Sequence, residues 1–240
     1  MENLSKMKVS KIVAQNFKTA KVFTTYGIDF CCNGRIPLEE ACEIQNVDID
    51  TIIGELRMAL TTAETEDFSA MPMDTLTEYI EKTHHTYVRN TIPALTTYLQ
   101  KIASVHGERH PELLEIRDSF QQSAIELANH MQKEEQVLFP YIKAMANATK
   151  SGYPLSAPHF GNVKNPIAMM EHEHQQEGDR FKKIAKLTDQ YTAPKDACQT
   201  YSVSFSMLQE FEQDLHKHIH LENNILFPSA VKAFEELELN

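Results

Sequence analysis

Glycine and proline are scarce. The 240-residue chain holds 7 Gly and 10 Pro, too few for a sandwich or barrel made of many tight turns. No apolar run approaches the roughly 20 residues that a membrane-spanning helix needs. The N-terminus, Met1-Glu-Asn-Leu-Ser-Lys6, lacks the apolar core of a secretory signal. Two catalytic signatures are missing, the Gly-rich phosphate loop and the Gly-x-Ser-x-Gly elbow. Positive charge is short too: 23 Lys+Arg face 34 Asp+Glu, for a formal net charge of −11. Such a surface repels nucleic acid and anionic membrane faces. The four cysteines, Cys31, Cys32, Cys42 and Cys198, are too few to staple a chain of this length. Cys42 and Cys198 read as buried apolar fillers. The expectation is a soluble cytoplasmic protein with no nucleic-acid and no membrane partner.

What is abundant is helix-forming sequence. The chain is 42% hydrophobic, and its periodic stretches are rich in Leu, Met, Ala, Glu, Gln and Lys. This predicts an all-α protein in two parts. Residues 1–66 read as a small helical N-terminal domain. Its first helix carries Val9, Ile12, Val13, Phe17, Val22 and Phe23 at helical spacing and closes at Gly27. A loop, Asp29-Phe-Cys-Cys-Asn-Gly-Arg-Ile-Pro37, precedes short helices over about 38–45 and 50–62. The polar, aperiodic stretch 63–72 reads as the boundary. Residues 73–240 read as an up-down four-helix bundle, with helices over about 74–105, 111–146, 166–188 and 195–236. Pro93 is expected to kink the first, and Pro140 and Pro228 to kink or end the regular part of theirs.

Two segments repeat one pattern: His130-Met-Gln-Lys-Glu134-Glu-Gln-Val-Leu-Phe-Pro140 and, 88 residues later, His218-Ile-His-Leu-Glu222-Asn-Asn-Ile-Leu-Phe-Pro228. Residues i and i+4 share one helix face, so each His-x-x-x-Glu can offer a nitrogen and an oxygen to one metal. A single such pair arises by chance on polar helices. Here each copy is preceded by another histidine at a matching distance: His85 lies 45 residues before His130, and His174 lies 44 before His218. The neighbouring His84 would give 46, so His85 fits the repeat better.

The candidate ligand set is therefore His85, His130, Glu134, His174, His218 and Glu222. Imidazole and carboxylate without sulfur suit iron or manganese better than structural zinc. Two His per metal and two bridging Glu leave room for an oxo or hydroxo bridge and a small ligand. Bundle interiors are an established place for such centres. His84, His172, His216 and His220 fall on other faces and read as solvated or capping residues. His106, His110 and His159, near helix ends, read as ordinary surface residues. His172-Glu-His-Gln-Gln176 begins like a zinc-protease motif but has Gln176 where the second histidine belongs. Glu126, Glu135, Glu173 and Tyr141 are candidates for orienting the histidines or moving protons, with Glu173, beside His174, the foremost. Phe139 and Phe227 read as core. Cys31-Cys32 could bind a soft metal, exchange disulfides or transfer a nitrosyl group, or be one buried and one incidental cysteine.

Tyr26-Gly-Ile-Asp-Phe-Cys-Cys-Asn-Gly34 resembles the N-terminal signature of the repair-of-iron-centres family. The two His-x-x-x-Glu…Leu-Phe-Pro segments resemble that family's hemerythrin-like domain. The resemblance implies a four-helix bundle with two non-haem irons, oxo- or hydroxo-bridged, on the six ligands named above. It implies repair of iron–sulfur clusters damaged by nitric oxide or oxidants, through iron delivery or nitric oxide chemistry. Cys31 and Cys32 become redox or transfer thiols, damaged iron–sulfur proteins the partners, nitric oxide or dioxygen the small ligands, and a homodimer through the N-terminal domain the assembly. One departure is Val88, where the family pattern carries a further histidine. A dioxygen carrier or sensor is the rival expectation, and a nitric oxide reductase the third. Cys31-Cys32 weighs against a simple carrier, which needs no thiols.

Overall fold

The computed structural model describes residues 4–61, 68–152 and 155–238. Residues 62–67, on which much of the expected boundary falls, lie outside them. The regular elements among the described residues are all helices, and the only ladder pairing there is an isolated bridge between Lys8 and Pro37. The helices are α1 Val9–Gln15, α2 Ala20–Thr25, α3 Leu38–Gln45, α4 Ile49–Leu60, α5 Met73–Ile80, α6 Thr86–His106, α7 Glu112–Lys133, α8 Phe139–Ser151, α9 Lys164–Leu187, α10 Gln199–Leu221 and α11 Phe227–Glu238. The chain divides into two compact units. One comprises Met1–Leu76, Met145–Leu155 and Lys217–Asn240, and the other Thr77–Ala144 and Ser156–His216.

The unit that begins at the N-terminus is built on short helices. A single first helix was expected up to Gly27, but the chain breaks at Asn16. That residue is extended (φ −158°, ψ 109°), and its side chain accepts the Lys18 N–H. An asparagine side chain that bonds its own backbone competes with helix continuation, and here it wins. Gly27 then sits at φ +66°, a left-handed turn that costs glycine little. Val9, Ile12 and Phe23 are fully buried, as their spacing foretold, and so are Leu38, Ile52 and Leu56. Asp48 caps α4 by accepting the Thr51 N–H.

The other unit holds the helical bundle: α6, α7, α9 and the larger part of α10. Its core runs through Leu95, Leu99, Ile116, Phe120, Phe181, Ile184, Phe205, Leu208 and Phe211. Phe211 on α10 is the hub. Its ring is stacked against Phe181 of α9 at 5.5 Å, edge-on to Phe120 of α7 at 5.4 Å, and within 6.0 Å of Tyr87 of α6. One side chain thus ties all four helices together.

Near each Leu-Phe-Pro the regular α-helix is interrupted, and the interruption takes a specific form. Each is preceded by one π-helical turn, Glu134–Leu138 and Glu222–Leu226, after which regular α-helix resumes at Phe139 and Phe227. Proline lacks the N–H for the i−4 carbonyl, and its ring crowds that carbonyl. A π-turn takes in one extra residue and absorbs the mismatch without breaking the helix. A third π-turn, Glu81–His85, separates α5 from α6. No proline follows that one. No helix among the described residues is long and apolar enough to cross a membrane.

Because Phe211 joins four helices, Phe211→Ala should cost about 3–5 kcal/mol, read as a lowered denaturant midpoint. Met58→Ala, at a position 73% exposed, should stay within about 0.5 kcal/mol. Equal losses would show that the aromatic hub does not organise the bundle.

Candidate metal centre

All three π-turns begin or end at a candidate ligand: His85 closes the first, Glu134 opens the second and Glu222 opens the third. A π-turn widens the helix and re-aims the side chains at its edge, which is why such turns gather at functional sites. The sequence shows the prolines but not this consequence of them.

Within the bundle unit, His85, His130, Glu134 and His174 are all buried, with His85 and Glu134 fully inaccessible. Their donor atoms converge. The Nε2 atoms of His85 and His130 lie 3.4 Å and 3.3 Å from the same Glu134 Oε2. His174 Nε2 lies 3.0 Å from His130 Nε2. His130, Glu134 and His174 each place a donor atom within 4.8 Å of the others.

The far sides of two of these rings are tied to carboxylates. His85 Nδ1 donates to Glu135 Oε1 at 2.7 Å, and Arg89 Nη2 donates to both Glu135 oxygens at 2.7 Å. His130 Nδ1 donates to Glu173 Oε2 at 2.9 Å, and the Lys133 ammonium donates to the other Glu173 oxygen. With the proton on Nδ1, each Nε2 presents a lone pair inward, the tautomer that a metal ligand needs. Lone pairs of two imidazoles and a carboxylate at such distances repel one another in a dry interior. A cation among them converts that repulsion into coordination. The donor set therefore fits a metal, and its nitrogen–oxygen character fits iron.

The outer carboxylates are themselves tuned. The His130 hydrogen bond, with help from Lys133 and against partial burial, holds Glu173 down to about 2. At Glu135 burial works upward, but hydrogen bonds from Arg89 and His85 prevail and hold it below the usual carboxylate range. Both stay ionised and keep pulling on the imidazole protons. Phe139 is buried as expected, and its ring also stacks on His85 at 5.7 Å, which fixes that ring in the plane facing Glu134.

In the other unit, His218 Nε2 lies 3.0 Å from Glu222 Oε1, and both residues are buried. The second His-x-x-x-Glu thus forms the same close pair as the first, at the same place relative to its π-turn.

Several assignments require correction. His84 and His220 are buried, not solvated. His84 Nδ1 pairs with Asp214 at 2.8 Å, so its ring is committed away from Glu134. His220 packs between Phe17 and Phe30, each at 5.9 Å, and takes the Asn224 amide at 3.1 Å. Burial pushes it down to about 4, so it is neutral. His172 is exposed and His216 half-buried. His106 is buried with Nε2 3.2 Å from Cys198 Sγ, rather than on the surface, because Tyr201 packs edge-on against it. Cys198 is exposed and Cys42 buried; only Cys42 fills core. Cys31 is buried and Cys32 partly so. Tyr141 lies edge-on to Phe160, and Glu126 pairs with Arg180.

A buried acid escaped the sequence reading. Glu177, one helical turn beyond His174, accepts the Ser123 hydroxyl and the Arg180 Nε at 3.0 Å. Burial pushes it up to about 7; Arg180 opposes this, nearby Glu126 reinforces it, and His130 opposes it weakly. A carboxyl raised this way stabilises the fold below its unfolded value of 4.5. That stabilisation is lost as pH climbs toward about 7. Glu212, also raised to about 7 by burial against the Tyr191 hydrogen bond and Lys182, adds in the same direction. Stability should therefore fall between about pH 4.5 and 7. Glu177→Gln should remove about 3 kcal/mol of that fall, measured as denaturant midpoints across the range. An unchanged slope would refute the assignment.

Comparison with known proteins agrees with this geometry. Residues 76–230 match the hemerythrin HHE cation binding domain, and residues 5–60 match the ScdA_N domain of unknown function. The iron-sulfur cluster repair protein ScdA of Staphylococcus haemolyticus is 31% identical over 221 residues, covering 91% of this chain and 95% of that protein. A probable iron-sulfur cluster repair protein of Haemophilus influenzae is 31% identical over 232 residues, covering 95% and 98%. The iron-sulfur cluster repair protein YtfE of Yersinia pseudotuberculosis is 33% identical over 217 residues, covering 90% and 92%. With buried His–Glu pairs in a helical bundle and likeness over nearly its whole length, the chain belongs to the ScdA/YtfE family of hemerythrin HHE proteins.

Proposed function

We propose that this protein is a non-haem di-iron protein that helps restore iron–sulfur clusters damaged by nitric oxide or oxidants. The observation that carries the reading is the convergence of the His85, His130 and His174 Nε2 atoms around Glu134 in a dry interior. His218 and Glu222 complete the ligand set, a role supported by their exact repetition of the His130–Glu134 spacing and by their burial. Glu134 and Glu222, with two carboxylate oxygens each, would help hold the metal pair. Held by these residues, two non-haem irons, oxo- or hydroxo-bridged in this reading, would supply binding of nitric oxide or dioxygen and iron for damaged clusters.

The chain's own residues do the rest. Glu135 and Glu173 hold the Nδ1 protons of His85 and His130 and so aim the lone pairs inward. Phe139, Leu138 and Met131 exclude water from this interior. Glu173 is the candidate for carrying protons, because the His130 hydrogen bond and Lys133 keep it ionised while it stays partly exposed. The clients are damaged iron–sulfur proteins, as the names of the relatives say of those proteins. A cytoplasmic location and a homodimer belong to the same reading.

Anaerobically purified protein should hold about two irons per chain and restore activity to a nitric-oxide-damaged iron–sulfur enzyme. One iron or none would sink the dinuclear assignment. Reversible oxygenation without repair would make it a carrier, and sustained nitrous oxide formation with an electron donor would make it a reductase. His85→Ala, His130→Ala and His218→Ala should each lose much of the iron, while His84→Ala, His172→Ala and His220→Ala retain it. Equal loss across both groups would refute the ligand choice. Glu173→Gln should weaken iron affinity about 10–100-fold, read by competition with a chelator.

A further inference from the structure

The loop after α2 gathers a second set of donors that the bundle does not use. Asp29, Cys31 and Cys32 each place a side-chain donor atom within 4.8 Å of the others. The spacings are specific. Cys31 Sγ and Cys32 Sγ lie 3.8 Å apart, and Cys31 Sγ lies 3.4 Å from Asp29 Oδ1. In a tetrahedron with metal–sulfur bonds of about 2.3 Å, the sulfurs stand about 3.8 Å apart; an oxygen ligand at about 2.0 Å stands about 3.5 Å from each sulfur. The Cys31–Cys32 and Cys31–Asp29 spacings match these edges, and Asp29 and Cys32 donors lie within 4.8 Å.

We propose that Asp29, Cys31 and Cys32 form a three-donor site for a thiolate-seeking divalent cation of the Zn²⁺, Co²⁺ and Fe²⁺ class, with the fourth tetrahedral corner left for water or an incoming donor. Adjacent cysteines cannot easily close an ordinary disulfide, because their Cα atoms are held about 3.8 Å apart. They can still chelate one ion through both sulfurs.

The loop is braced to keep this arrangement. Asp29 Oδ1 accepts the backbone N–H groups of Cys31 at 3.1 Å, Cys32 at 3.0 Å and Asn33 at 3.4 Å. The Asn33 amide donates to Oδ2 at 2.9 Å. Such outer hydrogen bonds orient a ligating carboxylate. Gly34 lets the loop close, since a Cβ there would stand 2.3 Å from the Phe30 carbonyl oxygen. From the π-turn after α10, Asn224 Nδ2 donates to the Cys31 carbonyl at 3.1 Å, and the Asn223 carbonyl accepts from Arg35 at 3.3 Å. The loop therefore rests on the two residues that follow Glu222.

Without a cation Cys31 stays a thiol. The hydrogen bond with Cys32, burial and the Asp29 charge all raise it. Binding M²⁺ releases both thiol protons and leaves two thiolates and one carboxylate around the ion, so affinity rises with pH. This site shares no donor atom with the His–Glu ligand set, which contains no sulfur.

The test is a Co²⁺ titration of the reduced full chain under anaerobic conditions. Cobalt on the bundle's nitrogen and oxygen ligands gives no sulfur-to-cobalt charge-transfer absorption, so that near-ultraviolet band reports the cysteine site alone. The band should saturate at one equivalent. It should vanish in Cys32→Ser and in Cys31→Ser, and persist in Cys42→Ser and Cys198→Ser. Asp29→Asn should keep the band but weaken Co²⁺ binding at least tenfold. Sulfur scattering in zinc X-ray absorption should count two sulfurs on the site-bound ion. Absence of the band in the wild type, or its survival in Cys32→Ser, overturns the site. Unchanged affinity in Asp29→Asn removes the carboxylate from it. Retained helical circular dichroism and bundle cobalt bands in each variant separate lost ligation from lost folding.

Discussion

The hydrogen bond from a ligand histidine's Nδ1 to an outer carboxylate is the interaction on which the bundle's candidate site depends. A neutral imidazole has one donor and one acceptor, and fixing the donor fixes where the lone pair points. His85 is fixed by Glu135 and His130 by Glu173. Their lone pairs then have one direction left, toward Glu134. Arg89 and Lys133 close the circuit from outside by holding those carboxylates ionised. Remove the outer charges and the same histidines could rotate, and the convergence would be lost.

The π-turns serve the same geometry from the backbone side. A regular α-helix through Leu-Phe-Pro would set the proline ring against a carbonyl one turn back. The extra residue in each π-turn relieves that clash, which would fall on the carbonyls of Gln136 and Asn224, within the turns that Glu134 and Glu222 open. Apolar residues immediately after each turn, Phe139 and Phe227, are fully buried. The turn that aims the carboxylate is thus clamped by core packing, and its position does not drift.

Two kinds of donor are kept apart by chemistry. The bundle offers imidazole and carboxylate; the loop near Asp29 offers thiols. The first set binds through nitrogen and oxygen alone, while the second adds the sulfur that thiolate-seeking cations favour. The acidic Asp29 and the Cys31-Cys32 pair are gathered by local hydrogen bonds within a few residues, whereas the bundle set is gathered by helices far apart in sequence.

The sequence by itself determined helix class, the approximate helix positions and the duplicated His-x-x-x-Glu pattern, because a 3.6-residue period and an i,i+4 spacing are local properties of the chain. It also named Glu135 and Glu173 among the candidate partners. It did not show the break at Asn16, where a side chain outcompetes the helix, or the π-turns, where proline's effect depends on whether the core holds the helix together. It assigned His84 and His220 to solvent and Cys198 to the core, since periodicity marks a face but not what covers that face. Repeat spacing already favoured His85 over His84, but only tertiary structure shows why His85 is the one that turns toward Glu134. Asp214 captures the ring of His84, Glu135 captures the far side of His85, and both partners come from distant helices that only folding brings near.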